Sequence, residues 1–294
     1  MTGSVHVADS SLAPLANERL WYWIHHVDDA CNRFREDSDV SRLNHAEGRA
    51  TPVSETFRRT LAAALDAAQR TDGLCTPTIL PTLLAWGYDE HYDALRLAGR
   101  DHEPTNPPVA APLDAIEVDN DAGTVRLLGG CQLDLGATAK ALTADLVADD
   151  VAMSGSVVVE IGGDVAVRGT GPDGPWVVGI ATGLEIYGDE PRVAMSGGGI
   201  ATSSTDVRTW DVAGRTVGHI MDPRTGRPAA GPYRTVTVAA DSCVHANAYA
   251  TATLIRDADA DFYLVQAGWS GRLVRRDGTV DYVGGWPHDE GSRS

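Results

Sequence analysis

Lysine is almost absent from this 294-residue chain: Lys140 is the only one, and the other 23 basic residues are arginines. Positive charge is short overall, because 41 Asp and Glu against 24 Lys and Arg leave a formal charge of −17. Such a deficit argues against nucleic acid or an anionic membrane as the main partner. A phosphate-bearing ligand would need local cations or a metal to overcome that field. No run of about 18 apolar residues is present to span a bilayer, so no membrane insertion is expected. The N-terminal MTGSVHVADSSLAP lacks a basic and then apolar leader pattern, so a cytoplasmic location is expected. Cys31, Cys75, Cys131 and Cys243 lie far apart without C-x-x-C spacing. That favours reduced core thiols over disulfides or zinc ligands.

The single lysine has two readings. A codon bias could have replaced Lys wherever Arg serves, leaving Lys140 where Arg does not. Its survival could equally be chance.

What is present centres on TVGHIMDPRTGRP at 216–228. Val217, His219 and Met221 alternate with Gly218 and Ile220, which reads as a strand entering a turn at Asp222-Pro223. His219, Asp222, Arg224 and Thr225 then crowd one strand end and its loop, an arrangement suited to chemistry on a charged substrate. A plain turn beside a core histidine is the alternative.

The chain before that stretch begins helical. Leu20, Ile24, Val27, Cys31 and Phe34 predict an amphipathic helix over 17–35. Its adjacent His25 and His26 diverge too far around the helix to share an ion and are expected to face solvent. Residues 38–44 read as a polar connection ending in a loop. A helix over 54–70 follows, capped by Ser54 and burying Phe57, Leu61, Leu65 and Ala68, with 71–73 closing it. A short helix is expected within 76–89, and the proline-rich 101–113 reads as a surface linker.

From 114 onward the texture is β. AIEVD and TVRLL form a hairpin, and CQLDLG continues as a third strand. At Gly136 the period changes to a helix over 137–152 with Leu142, Leu146 and Val147 inward. Free N–H groups at that helix start, with Lys140 in its first turn, make an anion site. Strands follow at 157–169 and 176–182. Gly162-Gly163 implies close approach of a strand or a ligand. Residues 192–210 follow with three glycines and then Ser203-Ser204-Thr205, 234–243 adds another strand, and 245–255 reads as a small-residue helix with Asn247 and Thr251 on one face. At the end, FYLVQAG and GRLVRRDGTVDYVGGW hold a strand, an Asp277-Gly278 hairpin and a final strand, before a frayed tail over 288–294. The fold class is α+β, mainly antiparallel sheet with packed helices.

Taken in order, these stretches resemble the ApbE family of flavin transferases over roughly residues 27–255. FREDSDVSRLN and TDGLCTPTILPTLLAWGY resemble its N-terminal segments. DLGATAKALTAD is similar to its Asp-Leu-Gly-Gly-x-Ala-Lys-Gly helix start, and VEIGGDVAVRG to its Asn-x-Gly-Gly-Asp turn. GGGIATSS, GHIMDPRTGRP and ANAYATA resemble its Ala-Thr-Ser-Gly, His-x-Ile-x-Asp-Pro-x-Thr-Gly and Ala-Asp-Ala-x-Ala-Thr-Ala segments. Five positions depart from the family pattern: Asn247 and Thr76 each stand for an Asp, Ala141 and Ser204 each for a Gly, and Glu160 for an Asn.

The resemblance implies one domain over 1–294, helical over about 15–100 and β-rich over about 114–286. It implies transfer of FMN from FAD to a threonine of an acceptor protein, with AMP released and Mg²⁺ required. Metal ligation falls to Asn247, Thr251 and carbonyls over 136–139, Ala137 among them. FAD binding falls to Lys140, Gly162, Gly163, Asp164, Ser203, Arg224 and Thr225. His219 is the implied base, with Asp222 orienting it or sharing its task. An Asn at 247 removes a full charge from a Mg²⁺ site, which the diphosphate of FAD could restore. The alternatives are an FAD hydrolase and a flavin-binding protein without turnover.

Overall fold

The structure, a computed structural model, describes residues 2–181 and 190–289. The chain divides into two compact units interleaved along the sequence. One comprises Met1–Ile24, Lys140–Val207 and Ala230–Ser294, and the other His25–Ala139 and Arg208–Ala229.

The first unit is built on a seven-stranded sheet, antiparallel throughout. Its strands are Gly3–Val7, Val157–Ile161, Asp164–Arg168, Gly197–Ser204, Tyr233–Ala240, Ser270–Arg275 and Val280–Val283, neighbours in space in their chain order. Of the connections between neighbouring strands, the two-residue turn Gly162-Gly163 is the tightest. Both glycines have positive φ, 59° and 95°, as the twist of a two-residue hairpin requires. Helix Cys243–Ile255 packs on strands Gly197–Ser204 and Tyr233–Ala240. A side chain at Gly199 would put its Cβ 2.2 Å from the Cys243 nitrogen, so glycine is what admits the helix end there. Val165, Val167, Ile180, Met195, Ile200 and Trp286 form an apolar cluster of the same unit.

The second unit has two cores. One gathers Val27, Val40, Leu43, Phe57, Leu61, Val125 and Leu133, beneath helix Glu55–Arg70 and the three-stranded sheet of Thr51–Pro52, Thr124–Leu127 and Ile116–Asp119. The other joins Leu83, Trp86, Tyr88, Leu95, Trp210, Val217 and Met221. Trp86 Nε1 donates to the Gly226 carbonyl at 2.7 Å, and Trp210 Nε1 donates to the Trp86 carbonyl at 2.9 Å. The Trp86 indole thereby ties the Gly226 end of the 216–228 stretch to the core that takes in Val217 and Met221.

The α+β class with mainly antiparallel sheet is what the sequence led us to expect, and so are helix Glu55–Arg70 with its Ser54 cap and the hairpin of Ile116–Asp119 with Thr124–Leu127. Leu65 of that helix is only partly buried. All four cysteines are free and buried.

Several expectations are corrected. Residues 38–44 are not a loop: Ser38 Oγ accepts the Ser41 N–H at 3.2 Å and starts helix Asp39–Asn44. The first helix is Ala13–Cys31 rather than 17–35, because Pro14 suits a first turn and Asn32 ends the helix with an Oδ1 bond to the Phe34 N–H. CQLDLG is extended but joins no ladder. Its alternate Cys131, Leu133 and Leu135 are buried, yet Leu133 bonds the Asn44 side chain and Asp134 N–H goes to the Pro77 carbonyl. The third strand of that sheet is instead Thr51–Pro52. In helix Gly136–Ala152 Leu142 is only partly buried, while Ala141, Thr143, Ala144 and Asp145 lie buried with Leu146 and Val147. FYLVQAG lies in helix Ala260–Gln266, whose Ala260 and Leu264 are buried four residues apart. Gly3–Val7, to which the sequence reading gave no element, is the edge strand of the large sheet. Of the expected strand at 176–182, Trp176–Gly179 is observed and residue 182 lies outside the described residues, as do 290–294 of the expected tail.

Candidate active site

In the first unit the expected residues form one connected set. The Gly162-Gly163 turn presents a bare backbone to Lys140: a Cβ on Gly162 would lie 3.3 Å from Lys140 Cδ and 3.6 Å from Cε. Glu160 Oε1 accepts the Gly163 N–H at 2.6 Å, so this departure from the family pattern stays inside the turn. The next residue, Asp164, is 3% exposed, and its Oδ1 accepts from Asn247 Nδ2 at 3.1 Å. One helical turn on, Thr251 Oγ1 and Ser203 Oγ share a hydrogen bond at 3.1 Å. Asp164, Asn247, Thr251 and Ser203 are thus linked within one unit, with the Lys140 stem against the turn that precedes Asp164. Buried nearby carboxylates are felt locally: the Cys243 thiol is pushed well above its usual range, first by burial and then by Asp164 and Asp145.

Sequence reasoning missed the group that sets this helix in place. Asp145, buried on helix Gly136–Ala152, accepts the N–H groups of Cys243 and Val244 at 3.1 and 3.0 Å. Its Oδ1 also meets Arg168 at 3.1 Å. Burial raises the Asp145 carboxyl above its ordinary value, and the two N–H bonds and Arg168 oppose that. An Asp inside an otherwise apolar run, ADLVA, was the available signal.

In the second unit His219 follows strand Arg215–Gly218 instead of continuing it. Its N–H donates to the Arg208 carbonyl at 3.1 Å, and the Ala229 N–H then bonds the Ile220 carbonyl at 2.9 Å. The chain changes partner there and bends, so Ile220 and Met221 are both buried, against the alternation expected of one strand. The turn that follows is tight and internally paired. Asp222 Oδ1 accepts from the backbone N–H and Nε of Arg224, both at 2.9 Å, while Oδ2 accepts from its Nη2 at 2.8 Å. Thr225 is exposed, and its hydroxyl accepts the Arg227 N–H at 3.3 Å.

Ala137 lies in the first turn of helix Gly136–Ala152 and is exposed. The anion site expected at that helix start is not open. Asp134 Oδ1 accepts the Gly136 N–H at 2.7 Å, and the Thr138 and Ala139 N–H groups both bond the Leu135 carbonyl. Asp134 is itself fixed by Arg33 at 2.7 Å, whose Nη2 donates to the Tyr88 carbonyl and whose guanidinium lies 4.1 Å over Phe34. Lys140 is the fifth residue of the helix, past its first turn. Thr76 stays local too, capping Pro77–Ile79 and sharing a 2.9 Å bond with the Thr78 hydroxyl.

Asp164, Asn247, Thr251 and Ser203 offer only hard oxygen donors, the kind Mg²⁺ takes, with one formal charge among them. Among the described residues no three His, Cys, Asp or Glu side chains cluster as a metal site. No helix among them is long and apolar enough to cross a membrane.

A family model described as the ApbE family matches residues 1–271. A "FAD:protein FMN transferase" of Salmonella typhimurium is 28% identical over 239 residues, covering 76% of this chain and 65% of that protein. One of Vibrio cholerae is 25% identical over 283 residues, covering 89% and 78%. Among solved structures, the ApbE protein of Thermotoga maritima superposes with a TM-score of 0.79 at 24% identity, over 95% of this chain and 93% of that one. This likeness concerns the fold. The chain spans just under two thirds of the Salmonella relative's length.

Proposed function

The chain belongs to the ApbE family, and from that premise we propose that it transfers FMN from FAD to a threonine hydroxyl of an acceptor protein. In that reaction the threonine oxygen bonds to the FMN-side phosphorus, the bond from that phosphorus to the bridging oxygen breaks, and AMP leaves. The hydroxyl proton must be taken up, and His219 is assigned that task because an imidazole accepts protons near neutral pH. Asp222 and Arg224 act as a pair in the adjoining turn, with Thr225, at the ligand. Lys140 meets phosphate oxygens from its seat on Gly162. Gly162, Gly163, Asp164 and Ser203 contribute to the FAD site.

The observation that carries this reading is the linked set of Asp164, Asn247, Thr251 and Ser203, hard oxygen donors in the same unit as Lys140, whose stem lies against the turn before Asp164. The chemistry needs oxygen donors and a cation more than covalent catalysis, because phosphoryl transfer proceeds by positioning and charge neutralisation. Mg²⁺, where bound, would neutralise charge on the diphosphate. Asn247 and Thr251 are the residues to hold it, with Asp164 adjacent and the Ala137 carbonyl as the further donor.

The test is the intact mass of an FMN-binding-type acceptor domain after incubation with this protein, FAD and Mg²⁺, alongside an AMP assay. An FMN-sized mass gain that is lost with EDTA, and that falls by about 10²–10⁴-fold in rate with His219→Ala, is the expected result. AMP without any mass gain across several acceptors would replace transfer with hydrolysis.

A further inference from the structure

Asn247 and Asp164 meet in a way that a pair of carboxylates could not. Asp164 is buried, and a carboxylate only accepts, so the group facing it at 3.1 Å must be the N–H of the Asn247 amide. The amide oxygen is therefore turned from Asp164. An Asp at 247 would set two negative groups together, a contact that requires a shared proton or a cation. With Asn the contact is satisfied by the protein alone, and the set of Asp164, Asn247, Ser203 and Thr251 carries a single negative charge. The second link of that set is closed as well, since Ser203 and Thr251 hydroxyls bond each other at 3.1 Å.

A cation entering this site without FAD gains one carboxylate at most, and that carboxylate already accepts from the Asn247 amide. A cation entering with FAD gains the diphosphate as well. We infer that Asp164, Asn247, Ser203 and Thr251 do not form a free-standing divalent-metal site, and that metal and FAD bind there as a linked pair, each raising the other's affinity. This rests on the functional reading above. Its content is particular to Asn247, and it predicts reciprocal coupling between the two ligands.

The experiment is calorimetric titration of the full chain with Mg²⁺, with Mn²⁺ as a second probe, in the absence and presence of saturating FAD. Flavin fluorescence measures FAD binding separately. For the wild-type chain, metal should bind at least about tenfold more tightly with FAD than without it. In Asn247→Asp, FAD-free affinity should rise at least about tenfold, and Mg²⁺ alone should then raise the melting temperature, because ligand charge sets affinity in oxygen sites. The wild-type comparison stands even if that variant folds poorly. Equal metal affinity with and without FAD, while FAD still binds, would overturn the inference and leave the functional reading intact. Failure of FAD to bind under any condition would overturn both.

Discussion

Asp145 closes the N-terminal end of the helix that begins at Cys243: its two carboxylate oxygens take the N–H groups of Cys243 and Val244 at 3.1 and 3.0 Å. A helix start has N–H groups with no intrahelical partner, and burial would make them costly if unmet. Ser242 Oγ meets the His245 N–H, and Asp145 supplies the rest from another helix. The same carboxylate holds Arg168, so one buried group fixes the orientation of Asn247 and Thr251. Asp145→Ala should destabilise the protein by about 2–4 kcal/mol, since it leaves the Cys243 and Val244 N–H groups without this partner and takes from Arg168 the buried one of its two carboxylates, Asp149 remaining. Urea unfolding measures this. A loss under about 0.5 kcal/mol, the range of ordinary surface changes, would refute the assignment.

Lys140 lies along Gly162, and two substitutions separate its stem from its charge. Gly162→Ala places a Cβ 3.3 Å from Lys140 Cδ at a φ of 59°. It should cost about 1–2 kcal/mol of stability through the left-handed backbone, and also displace the lysine. Lys140→Arg keeps the charge and should leave stability within about 0.5 kcal/mol. It should still weaken FAD binding about tenfold, the loss of one well-placed charged hydrogen bond. Flavin fluorescence titration reads both, and unchanged FAD affinity in Lys140→Arg would remove Lys140 from the site.

How far the sequence could be read depended on whether a signal was local. Ser54 before an amphipathic stripe, and a turn with Gly123 between two alternating runs, are complete local instructions, and both elements formed where expected. CQLDLG carried a true period-two pattern and still made no strand, because its backbone partners are an Asn side chain and a distant carbonyl that no spacing announces. FYLVQAG is too short and too apolar for periodicity to decide helix from strand. For the site, the pairs Asp164–Asn247 and Ser203–Thr251 join residues 83 and 48 positions apart. The motifs named those residues, whereas only the fold could show which atoms meet. Asp145 was marked only by its place in the apolar run ADLVA, and Arg33 lies outside any pattern the residues offered.

Asp222 and Arg224 form a two-point contact on adjoining turn positions, with the guanidinium side chain 56% exposed and the carboxylate 14%. Pairs as exposed as this add little stability, so Arg224→Ala should change unfolding free energy by less than about 1 kcal/mol. If the pair serves the ligand as a unit, Arg224→Ala and Asp222→Asn should not be additive in FMN transfer. The double variant should be about as slow as the slower single variant. Multiplying effects in the double-variant rate would mean that the two residues act independently.

Burial of the thiols makes stability fall at high pH. Burial is the main cause that pushes Cys31 up to about 12, assisted by the Asp39 and Asp28 charges and opposed by a Thr60 hydrogen bond, and it alone raises Cys75 to about 12. Below the ordinary thiol value of 9.0 both folded and unfolded chains keep these protons. Between 9.0 and about 12 the unfolded thiols ionise while the folded ones do not, so the native state binds more protons and loses stability as pH rises. Each thiol contributes up to about 1.4 kcal/mol per pH unit in that window. Urea unfolding at pH 8 and pH 10.5 should show the fall, and Cys31→Ala with Cys75→Ala should lessen it, leaving the share of Cys131 and Cys243, whose thiols burial also raises. At pH 8 a thiol reagent should label neither cysteine until denaturant is added, because a neutral buried thiol is a poor nucleophile. An equally steep fall in the doubly substituted chain would assign the alkaline loss to other groups.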